Sequence, residues 1–238
     1  MERPKPIVYL TFIRLPDELP QAVFTKYLAT VPVSIQGENA RYQRWQDKQA
    51  HLFGKLIVRH ALHTLGFAGD ALSRIVRSPN GRPHLVGNTD FNLTHSGKYI
   101  LCASGNELRL GVDIEEIRPI DFTHFDDVMT PEQWQEINQS QCPLQQFYAL
   151  WTVKESVIKA DSRGLTIPLK SIVPDKGWVE LDGKAWYLRP LRLDDQYAGC
   201  LAVDMEEYDL VLEELTIPVL AVLGRMPALV SSTSQQTG

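Results

Sequence analysis

Two long segments with the 3.6-residue periodicity of an amphipathic helix constrain the fold of this chain more than any other feature. The first runs from Glu38 to about Leu65, and Gly66 can end it. The second covers about Leu144–Asp161 and ends near Gly164. The apolar residues that recur at helical spacing in the first segment are Trp45, Leu52, Phe53, Leu56, Ile57 and Ala61. Both segments predict a long helix.

Short segments that alternate like β-strands lie in both halves of the chain. In the first half they are Ile7–Ile13, Phe91–Thr94, Tyr99–Ala103 and Leu108–Ile114. In the second half they are Leu169–Val173, Trp178–Leu181, Ala185–Leu191 and Gly199–Val203. Another helix is predicted to begin at Thr130, which can form a capping box with Gln133. Because strands and helices mix without a repeated βαβ unit, the predicted fold class is α+β.

The composition argues against several classes of protein. The chain has 238 residues and a formal net charge of −5, so binding to nucleic acid or an anionic membrane would need a local basic patch. The apolar stretch Leu215–Val230 contains proline, glycine and arginine and is predicted not to span a membrane. Ile7–Ile13 is too short for a signal peptide, and residues 226–238 are expected to be a flexible tail. Three cysteines are expected to be buried free thiols, which favours a reducing, cytoplasmic compartment: Cys102, Cys142 and Cys200.

An acidic pair lies in the strand-like segment that begins at Gly111. Because successive side chains of a strand point to opposite faces, Asp113 and Glu115 share one face, while Val112 and Ile114 point into the core. Two carboxylates at one place repel each other unless a cation or protons neutralise them, and Mg²⁺ prefers such oxygen ligands. The alternative interpretation is the solvated face of an edge strand.

The second long helix carries three charged residues near its end. Lys154 falls inside the apolar arc, so it either extends to solvent over a buried stem or meets an anion in a cleft. Glu155 and Lys159 lie four residues apart at the edge of the arc. They form either an ordinary surface ion pair or part of a site.

Further polar residues can bind anions. The segment Asn92–Gly97 combines a hydroxyl, an imidazole and small residues, which suits hydrogen bonds to a phosphate, although a lone histidine more often has a structural role. Arg82 projects from a turn, and a second group of cations lies near the start of the first long helix: Arg41, Arg44 and Lys48. Each is either a solvated cation or an anion clamp. Neither a Gly-x-Ser-x-Gly elbow nor a Walker loop occurs, so the residues favour metal-assisted chemistry on a di- or polyphosphate.

In their order along the chain and in their residues, these motifs resemble those of the 4′-phosphopantetheinyl transferase superfamily. Leu110–Glu115 is similar to its (I/V)-G-(I/V)-D-(I/V)-E motif, with leucine replacing the usual β-branched first residue. Trp151–Lys159 is similar to W-(S/T)-x-K-E-(S/A)-x-x-K. Asn92–Gly97 and Gly81–Pro83 match the upstream blocks, where arginine takes a place often held by lysine. The resemblance covers about Glu38–Leu169 and is to the long, Sfp-like type.

This resemblance implies a fold of two similar lobes related by a pseudo-twofold axis, residues 1–107 and 108–225, with coenzyme A between them. It implies that Asp113, Glu115 and Glu155 bind Mg²⁺ together with the pyrophosphate of the cofactor. The residues expected to bind coenzyme A are Arg41, Arg82, Thr94, His95, Asp113, Lys154, Glu155 and Lys159.

The implied activity is transfer of 4′-phosphopantetheine from coenzyme A to a serine of an acyl or peptidyl carrier protein, with release of 3′,5′-ADP. Glu155 is expected to act as general base, and Lys159 to stabilise the leaving group. The carrier would serve fatty-acid, polyketide or nonribosomal peptide synthesis, and is expected to dock near His124–Met129. The long type is usually monomeric. Two alternatives use the same residues: a metal-dependent nucleotide diphosphate hydrolase, and a non-catalytic module that binds coenzyme A or a carrier.

Overall fold

This computed structural model describes residues 4–217, in which helices and strands come in separate groups along the chain. The strands are β1 (Ile7–Arg14), β2 (Val76–Arg77), β3 (Pro83–His84), β4 (Thr89–Ser96), β5 (Tyr99–Asn106), β6 (Leu110–Glu116), β7 (Trp178–Leu181), β8 (Lys184–Leu191), β9 (Tyr197–Val203) and β10 (Asp209–Glu214). The helices are α1 (Gln21–Leu28), α2 (Val33–Asn39), α3 (Trp45–Thr64), α4 (Pro131–Gln139) and α5 (Pro143–Asp161).

Two four-stranded sheets organise these elements. The first has the order β10-β1-β5-β4, in which β1 and β10 run parallel and the other pairs are antiparallel. The second is antiparallel with the order β6-β9-β8-β7. A short pair, β2-β3, stands apart. This architecture of small sheets packed with helices confirms the predicted α+β class.

Each large sheet buries one face against one long helix. Leu52, Phe53 and Ile57 of α3 belong to the same apolar core as Ile100 and Cys102 of β5. A second core joins α5 to the other sheet, with these members among others: Val157, Ala160, Val179, Trp186 and Ala202. The two helices named by sequence periodicity are therefore the helices that cover the sheets.

Gly111 allows α5 to lie directly on β6. A methyl group at this position would come within 2.1 Å of the Ser156 carbonyl oxygen and 2.4 Å of the Ala160 amide nitrogen. Both atoms belong to the helix backbone, which cannot move aside like the end of a side chain. Close contact between this strand and this helix therefore depends on the absence of a side chain at residue 111.

The single helix predicted over Glu38–Leu65 is wrong at its start. The structure has α2 and α3, separated by a turn at residues 40–44. The side-chain amide of Asn39 bonds the Lys48 carbonyl at 2.8 Å and ties the two helices together. The apolar stripe used for the prediction begins only at Trp45, so the charged segment before it has no apolar side to continue the helix. The predicted end is confirmed, because Gly66 has a φ of 91° just after α3.

Other elements test the sequence interpretation individually. The capping box at Thr130 and Gln133 is confirmed at the start of α4. The strand predicted at Leu169–Val173 is wrong, because a 3₁₀ turn occupies Leu169–Ser171. Cys102 and Cys200 are buried as expected, and burial raises the pKa of each to about 12.

Cys142 is exposed, contrary to expectation, because it directly precedes the first residue of α5. Strand β10 was missed, although it completes the first sheet beside β1. It comes from the last part of the described chain, so the first sheet draws strands from both ends of the sequence. The division into lobes at residues 1–107 and 108–225 stays a prediction.

Two predictions fall on residues that the structure does not describe. Residues 226–238 lie outside the described part, as does nearly all of Leu215–Val230. Within residues 4–217, no helix is long and apolar enough to cross a membrane.

Candidate active site

The acidic residues named from the sequence come together where β6 lies under α5. Strand β6 carries Asp113 and Glu115, and α5 carries Glu155 and Lys159. Burial raises the pKa of both glutamates, the charge of Asp113 raises it further, and the charge of Glu115 adds to the rise at Glu155. The three carboxylates therefore share one electrostatic environment, and their joint binding of a metal ion stays a prediction.

Asp113 is held by a lysine and a hydroxyl. Its side chain is 3% exposed, and the Lys159 ammonium lies 2.6 Å from its Oδ1 atom. The Thr94 hydroxyl donates to the same oxygen at 3.0 Å and accepts a hydrogen bond from Lys159 at 3.2 Å. Burial raises the pKa of Asp113, while Lys159 and Thr94 oppose that rise. The other carboxylate oxygen, Oδ2, is buried without a hydrogen-bond partner among the described residues.

Glu115 is oriented by a hydroxyl and lies beside Trp151. The Ser96 hydroxyl donates to its Oε2 atom at 2.8 Å, and the Trp151 side chain on α5 lies close enough to lower its pKa. Burial and the charge of Asp113 raise the pKa of Glu115, and these two side chains work in the opposite direction. Burial is also the largest cause of the raised pKa of Glu155, followed by Asp113, with Lys159 opposing.

This donor set fits a hard divalent cation in its chemistry. Three clustered carboxylates destabilise one another's charged forms, and one buried Asp113 oxygen is left without a partner. A cation bound by oxygens relieves both effects. In the present arrangement, however, the structure holds no group of three acidic, histidine or cysteine residues spaced to ligate a metal ion within residues 4–217. The Lys159 ammonium neutralises the buried carboxylate instead.

Lys154 occupies a different place from the one implied by the resemblance. Its side chain is 0% exposed, and the ammonium donates to the carbonyls of Leu169 at 2.9 Å and Ile172 at 2.7 Å. Burial lowers the pKa of Lys154 to about 8. The expectation of a phosphate contact is corrected to a structural role, because this ammonium fixes the loop that follows α5.

Arg82 also differs from the expectation of a phosphate clamp. It is 8% exposed, and its Nη2 atom lies 2.9 and 2.8 Å from the two carboxylate oxygens of Asp90. The same nitrogen donates to the Leu110 carbonyl at the start of β6 at 2.8 Å. Its contacts therefore lie inside the protein, so we correct its assignment as a residue that binds the cofactor.

A cavity of about 590 Å³ has His95 in its lining. Asn92 of β4, Asp47 and Lys55 of α3 and Arg77 of β2 also line it. Partial burial and the charge of Lys159 lower the pKa of His95, and Asp47 opposes that change. Thr94 lies on the opposite face of β4 from His95 and donates to Asp113. Of the predicted pair, only His95 therefore faces the cavity. Arg41 lies exposed in the turn between α2 and α3 and is outside the lining residues.

Sequence reasoning missed the roles of Asn92, Ser96 and Trp151 at this site. The alternation rule contained the signal for the first two, because Asn92, Thr94 and Ser96 are spaced by two residues and share one face of β4. That face turns to β6, where Ser96 binds Glu115 and Asn92 accepts the Val112 amide at 2.9 Å. No spacing rule could show that the edge of one sheet meets the edge of another.

Comparisons with known proteins agree along both halves of the chain. The family model described as "4'-phosphopantetheinyl transferase superfamily" matches residues 109–209, and "4'-phosphopantetheinyl transferase, N-terminal" matches residues 20–107. The 4′-phosphopantetheinyl transferase gsp of Aneurinibacillus migulanus is 28% identical over 71% of this chain and 72% of its own length. A 4′-phosphopantetheinyl transferase of Bacillus subtilis is 29% identical over 79% of this chain and 92% of its own length.

One solved structure is weakly similar. The holo-[acyl-carrier-protein] synthase of Thermotoga maritima has a TM-score of 0.32 and 15% identity, over 40% of this chain and 61% of that one. This likeness is too low to argue from, and the family assignment depends on the matches along the sequence. With its two motifs meeting at the junction of β6 and α5, the chain belongs to the 4′-phosphopantetheinyl transferase superfamily.

Proposed function

We propose that the protein transfers 4′-phosphopantetheine from coenzyme A to a serine hydroxyl of an acyl or peptidyl carrier protein and releases 3′,5′-ADP. The observation that supports this most directly is the meeting of Asp113, Glu115, Glu155 and Lys159 within the region matched by the superfamily model. The site needs no nucleophile of its own, because the carrier serine supplies the attacking oxygen.

Asp113, Glu115 and Glu155 would hold Mg²⁺, which when bound offsets negative charge on the diphosphate of coenzyme A. The chain prepares for this by burying Asp113 and by orienting Glu115 with Ser96. Mutual repulsion among the three carboxylates is the driving force for taking up a cation. The expectation is therefore that magnesium binding and a fall in the pKa of these groups are coupled.

Glu155 is our choice of general base for the carrier serine. Burial and the neighbouring acidic charges raise its pKa, so before a cation binds it holds a proton more strongly than a free glutamate does. Lys159 is 27% exposed at its side chain, so its ammonium can reach the departing diphosphate from its place beside Asp113. Positive charge there stabilises the negative charge that grows on the leaving 3′,5′-ADP.

The cavity beside His95 would receive the nucleotide part of coenzyme A. Lys55 and Arg77 give it two cations at the edge, and Phe91 and Leu93 give it an apolar wall. His95 lies at the end of the cavity nearest to Lys159, whose charge affects its pKa. Phosphate groups of the nucleotide would therefore lie towards these cations, with the base against the apolar wall.

The carrier would dock beside the aromatic cluster that leads to the site. Phe122 and Phe125 pack against Phe147 and Trp151 of α5, and Trp151 also lies close enough to Glu115 to lower its pKa. The predicted segment His124–Met129 also carries exposed Asp126 and Asp127, so apolar contacts rather than positive charge would hold an acidic carrier there. The protein would be cytoplasmic and monomeric, and its carrier would serve fatty-acid, polyketide or nonribosomal peptide synthesis.

Mass spectrometry of carrier proteins tests the proposed activity. Purified protein, coenzyme A and Mg²⁺ are incubated with a panel of apo-carriers, and the expected result is a mass gain of one phosphopantetheine on the carrier serine. A reaction without carrier is the control. Release of 3′,5′-ADP in that control would indicate a hydrolase, and a panel of carriers without any mass gain would contradict the proposal.

A further inference from the structure

The edges of the two large sheets meet along β4 and β6 without forming a backbone ladder between them. Side chains of β4 instead accept hydrogen bonds from alternate amides of β6. The Leu110 amide donates to Asp90 at 3.0 Å, and the Val112 amide donates to Asn92 at 2.9 Å. At the far end, the Glu116 amide donates to Ser96 at 3.0 Å. An edge strand leaves such amides unpaired, and here polar side chains satisfy them.

Arg82 and Asp90 hold the beginning of this junction. The Leu110 amide donates to Asp90, and the Leu110 carbonyl accepts from Arg82 at 2.8 Å, so both backbone groups of this residue are fixed. Asp90 is 2% exposed and also accepts the Phe91 amide at 3.0 Å. Asp113 follows Leu110 by only three residues on the same strand.

All three side-chain hydrogen bonds of Arg82 use a single nitrogen. Nη2 contacts both oxygens of Asp90 and the Leu110 carbonyl, while Nε and Nη1 are buried without partners among residues 4–217. Leaving Nε and Nη1 buried without partners costs free energy, so the bonds of Nη2 to Asp90 and Leu110 are the contacts that hold the guanidinium in place. The guanidinium therefore connects β4 to β6 at the contact between the two sheets, and it is not among the groups that line the cavity beside His95.

We propose that Arg82 and Asp90 are positioning residues for the transfer reaction, because they fix the start of β6 and with it the direction of Asp113 and Glu115 towards Lys159 and Glu155. The inference rests on the proposed function. Arg82 would then act on the reaction by positioning β6, and not by the contact with the cofactor that the resemblance implied.

Steady-state kinetics of matched variants tests this inference. Arg82→Gln should lower kcat about 10- to 100-fold, as is usual when a residue that orients active-site ligands is lost. The dissociation constant for coenzyme A, measured by calorimetry, should stay unchanged. Arg82→Lys should recover most of the activity, because an ammonium has three donors on one nitrogen and can make the same three bonds.

Arg163→Gln is the matched control, because Arg163 also bridges two aspartates, Asp161 and Asp182, but at the surface and with neither aspartate on β6. Its kcat should equal that of the wild type. Hydrogen exchange gives a second measurement: Arg82→Gln should speed deuterium uptake in peptides that contain Leu110–Glu116, while peptides from β1 keep the wild-type rate. All kinetics are compared at a temperature at which each variant is folded.

The outcomes separate the inference from the function beneath it. A wild type that modifies no carrier overturns both. A wild type that transfers, with an Arg82→Gln variant that weakens coenzyme A binding at unchanged kcat, overturns the inference alone and returns Arg82 to the cofactor. An equal loss in Arg163→Gln also overturns it. If Arg82→Gln does not fold, Asp90→Asn decides, since a wild-type kcat in that variant contradicts the positioning role.

Discussion

Gly111→Ala should separate the two halves of the active site and destabilise the fold. The added methyl would lie 2.1 Å from the Ser156 carbonyl oxygen and 2.4 Å from the Ala160 amide, so the backbone of α5 must move away from β6. Overpacking of a core costs about 1–3 kcal/mol, and a clash with backbone on a rigid helix belongs at the upper end. At about 2–4 °C per kcal/mol for a chain of this size, 3 kcal/mol lowers the melting temperature by about 6–12 °C.

Gly54→Ala is the matched control for this substitution. Its methyl would lie 3.1 Å from the Leu93 Cδ2 atom, which is the end of a flexible side chain. Alanine is also favoured over glycine inside a helix by about 1 kcal/mol, which offsets the crowding. Urea unfolding of both variants measures the difference.

Transfer activity provides the second readout for Gly111→Ala. Asp113 lies on β6 and Lys159 on α5, so a shift of the helix alters the distance between them directly. A displacement of about 1 Å at reacting groups can cost about 10²-fold in rate. A Gly111→Ala protein that unfolds at the wild-type urea midpoint, or that loses less stability than Gly54→Ala, would refute the reasoning about the close contact.

Four further substitutions test the site and its surroundings. Glu155→Gln should reduce kcat by about 10²- to 10⁴-fold at an unchanged urea midpoint, and equal transfer rates would contradict its role as base. Lys159→Ala should slow single-turnover transfer about 10²- to 10³-fold and weaken coenzyme A binding less, so a pure loss of affinity would show its role to be wrong. Lys154→Met should destabilise the fold by about 1–3 kcal/mol, because two carbonyls lose their donor, and calorimetry should give the wild-type affinity for coenzyme A. Burial and the charge of Lys55 lower the pKa of His51 below 6.5, and Glu38 partly opposes that change. Neutral His51 therefore stabilises the fold above pH 6.5, and this contribution is lost as the pH falls through the folded-state pKa. His51→Gln should flatten the acid side of a curve of stability against pH, and parallel curves for variant and wild type would contradict this.

Local pattern was enough to predict the elements that carry the site. Helical periodicity predicted a helix over about Leu144–Asp161, within one residue of α5, and a capping signal located the start of α4. Alternation along β6 predicted that Asp113 and Glu115 share a face. The contact between that strand and that helix could not be predicted from periodicity, because it depends on the absence of a side chain at Gly111.

The cations show where local pattern is insufficient. Lys154 and Lys159 are five residues apart on one helix, so they point about 140° away from each other. Lys159 reaches Asp113, while Lys154 reaches the carbonyls of the loop after the helix. The apolar arc correctly indicated that Lys154 is not an ordinary surface residue. Only the path of the following loop, which the sequence pattern had assigned to a strand, shows that carbonyl oxygens rather than phosphates meet its charge.

The meeting of two sheet edges explains why the polar motifs of this chain serve structure and chemistry together. Amides of β6 that face away from β9 need acceptors, and the side chains at alternate positions of β4 provide them. Thr94 and Ser96 on that same face also bind the carboxylates of Asp113 and Glu115. Ser96 has both roles, because it accepts the Glu116 amide and donates to Glu115, so Ser96→Ala removes an acceptor from the contact between the sheets and a donor from the acidic cluster at once. Stability and transfer rate should consequently fall together for Ser96→Ala, whereas Glu155→Gln should separate the two.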